Sequence, residues 1–245
     1  MSTALDEALS DLLCEGSMEL VEPAGRQRKR SIDAMEIPPA DQLPIVSIGR
    51  PRAWTIDELV LQEDLPTEMK ASLKTEMFFV LRLACSFRPQ RDEVRIAWAQ
   101  LTLQLKPDQQ GLLPLAFDLY PMSVDRERKT SKRISLSPSL KFYDVEAGLG
   151  EFAYSVDYPA IEPVLTATGI EEETPSWNFT AVSGFPLTGS KLLYAVVAAP
   201  RALNRLAVAL ALTADLDYKR RRFSAWLRGG HGRAHPPISE VLLWP

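Results

Sequence analysis

Glu93–Lys106, EVRIAWAQLTLQLK, decides the fold class. Val94, Ile96 and Trp98 recur at every second position, and Leu101, Leu103 and Leu105 resume that period after a one-residue slip. Period two marks a strand with one buried face, because successive side chains leave a strand on opposite sides. The slip between Trp98 and Leu101 predicts a β-bulge, where an inserted residue changes the phase.

The same period runs outward in both directions. Met77–Phe87, MFFVLRLACSF, sets Phe79, Leu81, Leu83 and Cys85 on one face and Phe78, Val80, Arg82 and Ala84 on the other. Arg88–Asp92 is a turn-sized gap, so these two runs are expected to pair as a hairpin. Downstream, Leu112–Tyr120, Val164–Thr168 and Ser176–Ala181 read as further strands, with GIEEETP at Gly169–Pro175 as an acidic turn. Ile134–Phe142 alternates cleanly except at Pro138, whose missing N–H suits an edge strand or a break. Glu146–Tyr158 offers Leu149, Phe152, Tyr154 and Val156 as inward residues.

Lys191–Ala199, KLLYAVVAA, is apolar on both faces, as a strand covered on both sides would be. Arg205–Tyr218 alternates Leu206, Val208, Leu210, Leu212, Ala214 and Leu216 without a break. Alanine and leucine are also good helix formers, but unbroken period two over this length outweighs propensity and predicts a strand. Ile238–Pro245 supplies a last edge strand. The expected fold is all-β, an antiparallel β-sandwich over residues 76–245, because two packed sheets bury such faces most simply.

Residues 1–75 read as an N-terminal arm, partly helical or extended, that wraps this domain. Ser2–Leu13 fits a short amphipathic helix, and Pro38, Pro39 and Pro44 mark linker. Ile45–Ile48 fits a short edge strand. Thr55 is a helix N-cap for Trp54–Leu61, with Asp57 and Glu58 suited to its first turn, and Leu65–Leu73 continues it after Pro66.

The chain has 245 residues, 46% of them hydrophobic and 24% charged, values of a globular protein able to bury a core. A net charge of -4 gives no overall attraction to nucleic-acid phosphates. Cys14 and Cys85 form no motif, the first residues are acidic rather than basic, and no apolar run reaches a membrane-spanning length. The expected location is the cytoplasm.

Motifs for chemistry are scarce. A glycine-rich phosphate loop, a nucleophile elbow and a zinc-metalloprotease helix motif are all absent from the sequence. Thr188-Gly189-Ser190-Lys191 lacks the leading glycine of a phosphate loop and reads as a turn. His231 and His235 lie among Gly229, Gly230, Gly232 and Pro236, which disfavour the helix that would align them. Asp215 and Asp217 share a face and could serve calcium or carboxylate chemistry only with further ligands, whereas solubility explains them more simply. No catalytic, metal or cofactor residue is assigned and no cofactor is expected. Whether the chain is an enzyme stays open, with a sandwich hydrolase or lyase as one alternative.

The most distinctive local feature is basic and aromatic. Lys219, Arg220, Arg221 and Arg222 are followed by Phe223, Trp226, Leu227 and Arg228, and Arg28, Lys29 and Arg30 form a second cationic block. Adjacent cations repel, so they are most easily retained where something anionic faces them. Phe223, Trp226 and Leu227 fit one face of a short helix. Lys219, Arg220, Arg221, Arg222, Phe223, Trp226, Arg228, Arg28, Lys29 and Arg30 are therefore the candidate partner-binding residues. The leading expectation is a non-catalytic interaction or scaffold module that docks on a protein partner or on its own oligomer. The principal alternative is a peripheral membrane or pore-forming effector that uses segment 219–228 on an anionic surface. Nucleic acid ranks below both, since no recognition motif accompanies the patch.

Overall fold

The computed structural model describes residues 12–20, 37–124, 164–181, 187–219, 221–227 and 240–244. They form an all-β fold. The strands are β1 (Leu12–Leu20), β2 (Ile45–Gly49), β3 (Arg52–Thr55), β4 (Glu76–Arg88), β5 (Val94–Pro107), β6 (Leu115–Tyr120), β7 (Ser123–Val124), β8 (Val164–Thr168), β9 (Ser176–Thr180), β10 (Gly189–Pro200), β11 (Leu206–Tyr218), β12 (Arg221–Leu227) and β13 (Glu240–Trp244). Two short helices, α1 (Ile56–Leu59) and α2 (Thr67–Ser72), lie between β3 and β4.

The strands form one continuous sheet in the order β6-β10-β4-β2-β1-β12-β11-β5-β9-β8-β7, with β3 on β4 and β13 on β11. Every ladder is antiparallel. β1 joins the two halves: Leu12 to Ser17 pair with β2, then Met18 to Leu20 pair with β12. Met18 is buried at that crossover, and its N–H donates to the Pro44 carbonyl at 3.0 Å.

The opposite margin is stitched by the turn at Gly169–Pro175. Ala116 N–H of β6 donates to the Glu172 carbonyl at 3.0 Å, and Glu171 N–H donates to the Ala116 carbonyl at 2.7 Å. The same turn accepts from β5, Leu105 N–H to the Glu173 carbonyl and Leu103 N–H to the Pro175 carbonyl, both at 2.9 Å. The sheet is thus nearly closed into a barrel, which corrects the simple two-sheet sandwich expected from the sequence. Strand period constrains which face is buried, and says nothing of how the margins meet.

Inside, Leu81, Leu83, Cys85 and Phe87 of β4 and Leu193, Ala195 and Val197 of β10 pack in one core with Leu101, Leu103 and Leu105 of β5 and Val208, Leu210 and Leu212 of β11. Trp177 is fully buried, and the Phe87 and Phe179 rings meet edge to face with centroids 5.5 Å apart. β11 is a strand throughout, with buried and half-buried positions alternating as its period requires except at Ala209, which is buried as well.

The outer face of β4 and β10 is also apolar, and residues 56–69 cover it. Ile56, Val60, Leu65 and Met69 pack on Phe78, Val80, Val196 and Ala198 in a second, smaller core. Thr55 is the N-cap of α1, and the Glu58 carboxylate accepts its backbone N–H at 2.8 Å. Such a short helix is held by this packing rather than by propensity.

Three local expectations change. β4 and β5 are not a hairpin: β4 is flanked by β10 and by β2 and β3, while β5 pairs with β11 and β9. Arg88–Asp92 therefore carries the chain from one half of the sheet to the other. The bulge in β5 falls at Ala97, where Asp215 faces Trp98 and Leu216 faces Ile96, so Ala99 rather than Trp98 takes the inward place. Leu12 and Leu13, expected at the end of a helix, begin β1 inside the sheet. The remainder of that expected helix, and the strands expected within 134–158, lie outside the described residues.

Gly169 carries the closing turn at φ 95, and a Cβ there would meet Pro175 Cα at 2.8 Å. Gly111 also has positive φ, at 87, but open space around it. Gly111→Ala is expected to cost about 1–2 kcal/mol, the left-handed backbone penalty alone, and Gly169→Ala clearly more. Urea unfolding of the two variants measures the difference, and equal losses would show that the turn does not hold the margin. Leu210→Ala, in the centre of the large core, is expected to cost about 2–5 kcal/mol in the same assay.

Candidate functional site

The basic-aromatic segment is a strand rather than a helix. β12 lies between β1 and β11 in the sheet, so its residues alternate in direction. Ala225 and Leu227 are buried in the core and Phe223 packs against it, while Arg221, Arg222 and Ser224 are exposed. Leu227 and Phe223 thus hold the fold, and the helical docking face expected for Phe223, Trp226 and Leu227 does not form. Period two and period 3.6 are hard to separate over so few residues. Lys219 occupies the turn at φ 47, exposed, with its ammonium 5.3 Å from the Tyr218 ring centroid. Arg222 Nε donates to Asp217 at 3.2 Å across the β11–β12 ladder. Arg220, Arg228, Arg28, Lys29 and Arg30, like His231 and His235, lie outside the described residues.

The other singled-out groups have structural employment. Asp215 accepts from the Ser224 hydroxyl at 2.9 Å, so both carboxylates of that face are matched to cross-strand partners. Glu171 to Glu173 contribute backbone to the closing turn. Thr188 to Lys191 lead into and open β10, paired to β4 from Gly189 onward. Burial pushes the Cys85 thiol up to about 12, which removes thiolate reactivity at neutral pH.

A group of side chains that the sequence does not single out lies on the outer face of the other half. Four adjacent strands contribute one register partner each: Arg52 of β3 faces Arg82 of β4, Arg82 faces Tyr194 of β10, and Tyr194 faces Tyr120 of β6. Direct cross-strand partners share a face, so these form one transverse row. It runs along the rim of the helical cover, since Phe78 and Val80 precede Arg82 on the covered face. The Arg82 guanidinium lies 5.6 Å from the Trp54 ring centroid, and the Tyr120 and Tyr194 centroids are 6.4 Å apart. Burial, then the like charge of Arg52, lowers the Arg82 pKa. Burial pushes the Tyr194 phenol up to about 12 and also raises that of Tyr120. The Tyr194 hydroxyl is buried with no hydrogen-bond partner among the described residues.

Asp118, opposite Val196 at a bulge in β6, lies one position further under the cover. One carboxylate oxygen accepts the Leu119 N–H at 2.8 Å, and the other is buried without a partner among the described residues. Burial raises its pKa to about 6, against a smaller opposing effect of the Leu119 bond. The one sequence signal of this region is Arg82, a charge within an otherwise apolar alternate face of Met77–Phe87.

No family model and no curated protein matches the chain. The structure is similar to that of Clostridium perfringens delta-toxin, at 9% identity and TM-score 0.36, over 82% of each chain. It is similar to a solved structure described as a pore forming protein, at 6% identity and TM-score 0.38, over 85% of this chain and 89% of that one. It is also similar to the Clostridium perfringens NetB toxin in its membrane-inserted form, at 7% identity and TM-score 0.29, over 78% of this chain and 82% of that one. The scaffold module and the cytoplasmic location expected from the sequence are corrected at this point, since the names of these neighbours describe neither: two are toxins and one is a pore forming protein. Among the described residues no helix is long and apolar enough to cross a membrane, which leaves crossing by strands a separate matter.

Asp118 makes the fold pH-dependent with a defined sign. Its folded pKa of about 6 exceeds the ordinary 3.8, so the folded state binds the proton more tightly. The stability this gives is fully present below pH 4 and is lost as pH rises through about 6. The full loss is on the order of 3 kcal/mol. Urea unfolding at intervals from pH 4 to 7.5 is expected to show that decline, and Asp118→Asn to flatten it.

Proposed function

We propose that the protein is a membrane-acting, pore-forming effector whose copies assemble so that each contributes a pair of strands to one shared barrel. The observation that carries this reading is where residues 125–163 are inserted. β7 and β8 flank them and pair antiparallel, Ser123 with Thr166 and Val124 with Leu165. The stretch therefore leaves and rejoins the sheet on neighbouring strands, as the base of a hairpin would.

Its sequence has the composition such a hairpin needs. Ile134, Leu136, Leu140 and Phe142 alternate with Ser135, Ser137, Ser139 and Lys141, and Phe152, Tyr154 and Val156 alternate with Ala153, Ser155 and Asp157. A strand that faces lipid on one side and water on the other requires this alternation, over roughly 9–11 residues per crossing. Gly148 and Gly150 lie between the two runs, where a turn is needed. Pro138 withholds one ladder donor from the first run.

Assembly follows from the same physics. A lone hairpin in hydrocarbon would leave the N–H and C=O groups of both outer edges unpaired, at several kcal/mol each, so only a closed ring of hairpins is stable there. Oligomerisation with further copies replaces the generic protein partner. Within this proposal residues 76–245 form the β domain carrying the insert, and residues 1–75 supply strands and cover to it. Lys219, Arg221 and Arg222 are the exposed cations that would meet an anionic surface, joined by Arg220, Arg228, Arg28, Lys29 and Arg30.

Dye-filled vesicles containing anionic lipid test the reading. The full chain is expected to release the dye. A variant with residues 134–158 replaced by a short Gly-Ser linker is expected to unfold at an unchanged urea midpoint and release none. Dye release that survives the replacement would rule out the hairpin as the crossing element. Each surface cation contributes about 1 kcal/mol to binding an anionic leaflet, so Arg221→Glu with Arg222→Glu should weaken vesicle flotation by roughly 30-fold or more. Flotation unaffected by that double change would remove β12 from the membrane contact.

A further inference from the structure

Strand register puts the root of the insert and an open cleft at the same end of the sheet. Val164, where residues 125–163 rejoin the sheet, faces Thr180 of β9; Thr180 faces Trp98 of β5, and Trp98 faces Asp215 of β11. Three residues back along β5, Arg95 faces Asp217, and Val94 faces Tyr218 where both strands end. Past these ends lie the crossover stretch Arg88–Asp92 and the turn at Lys219. Asp92, Glu93, Arg95, Asp217 and Lys219 line a cleft of about 460 Å³ there. That volume is within the range of small-molecule sites, about 300–1,000 Å³. If the insert crosses a membrane, this end of the sheet is the one set against the lipid headgroups.

The lining carries both signs of charge. Arg95 and Lys219 bring cations, and Asp92, Glu93 and Asp217 bring carboxylates; all are exposed except Asp217, which is half-buried. Arg95 is positioned by its Nε, which donates to the Asp92 carbonyl at 2.8 Å. One oxygen of Asp217 accepts from Arg222 Nε at 3.2 Å, and the Lys219 ammonium lies 5.3 Å from the Tyr218 ring centroid. A lone anion in the cleft would meet three carboxylates and a lone cation two basic groups, so a ligand bearing both charges is the better match. Guanidinium and ammonium groups bind phosphate through charge-assisted hydrogen bonds. A primary ammonium offers three N–H donors to carboxylates. A quaternary ammonium offers none and is held by aromatic faces, and no aromatic residue is among those that line this cleft. We infer that the cleft binds the phosphoethanolamine headgroup of a lipid, with the phosphate toward Arg95 and Lys219 and the ammonium toward Asp92 and Glu93. The choice of a lipid over a soluble phosphoethanolamine rests on the pore-forming reading, which sets this end against the membrane.

Flotation of the full chain on vesicles of phosphatidylcholine, with and without phosphatidylethanolamine, tests the site. The two headgroups carry the same net charge, so a difference between the vesicles does not come from the general attraction of cations to an anionic surface. Binding is expected to be at least about tenfold tighter with phosphatidylethanolamine, since hydrogen bonds between charged groups are the strong ones. Soluble O-phosphoethanolamine is expected to compete for the site and phosphocholine is not. Asp92→Asn with Glu93→Gln is expected to abolish the preference at an unchanged urea midpoint, because both carboxylates are exposed and lie outside the strands. Equal capture by the two vesicle types, equal competition by phosphocholine, or a preference that survives the double change would overturn the site. Dye release from vesicles containing anionic lipid reads pore formation separately. Release without an ethanolamine preference would overturn the cleft and leave the pore-forming reading standing, and a preference without release would do the reverse.

Discussion

A strand has two edges of N–H and C=O groups, and leaving them bare invites pairing with another chain. This sheet satisfies its own margins by turning back on itself. At one place β1 divides its ladder between β2 and β12, and at the other the turn at Gly169–Pro175 bonds to β6 and to β5. The two places do different work. β1 makes a single sheet of two halves, and the turn, with a glycine where a Cβ would strike Pro175, brings the far margins together. The core between the halves, the helical cover outside one of them and the cationic row at the rim of that cover are all located by this closure.

What the sequence reveals is phase, and phase was legible almost everywhere it could be checked. The alternation in Arg205–Tyr218 reads directly as β11, and the doubly apolar Lys191–Ala199 reads as a strand with something on each face. Partnership was much less legible. Period two is blind to which strand lies alongside, so the short gap at Arg88–Asp92 suggests a hairpin, although both edges of β4 are taken by other strands. The bulge was misplaced for a related reason. Trp98 is large and apolar and alanine is small, so hydrophobicity favours Trp98 as the inward residue, whereas the ladder to β11 turns Ala99 inward.

The same limit governs the candidate sites. In β12 the pattern of cations and aromatics stood out in the sequence, but neighbours on both sides make it a strand, and burial of Ala225 and Leu227 removes half of it from any surface. The row on the outer face is the converse case. Arg52, Arg82, Tyr120 and Tyr194 come from four separate stretches and mean nothing until register sets them side by side. Only Arg82 betrayed itself, as a charge where its neighbours two residues away are apolar. A cross-strand row is a property of pairing, and pairing is the information that the linear pattern lacks.

The position of the insert follows the same logic of edges. Among the described residues β7 ends the strand order with only β8 beside it, while β8 is anchored to β9 along its whole length and β9 in turn to β5. A rearrangement of residues 125–163 would act first on the short ladder of β7 with β8 and would leave β9, β5 and β11 paired. The work of holding the molecule together and the work proposed for the insert therefore fall on different strands. A sheet that closes by a bonded turn, rather than by pairing β6 with β7, keeps its terminal strands available to lengthen. That arrangement suits the proposed function, in which the core would persist while the insert exchanged its surroundings for partners contributed by other copies.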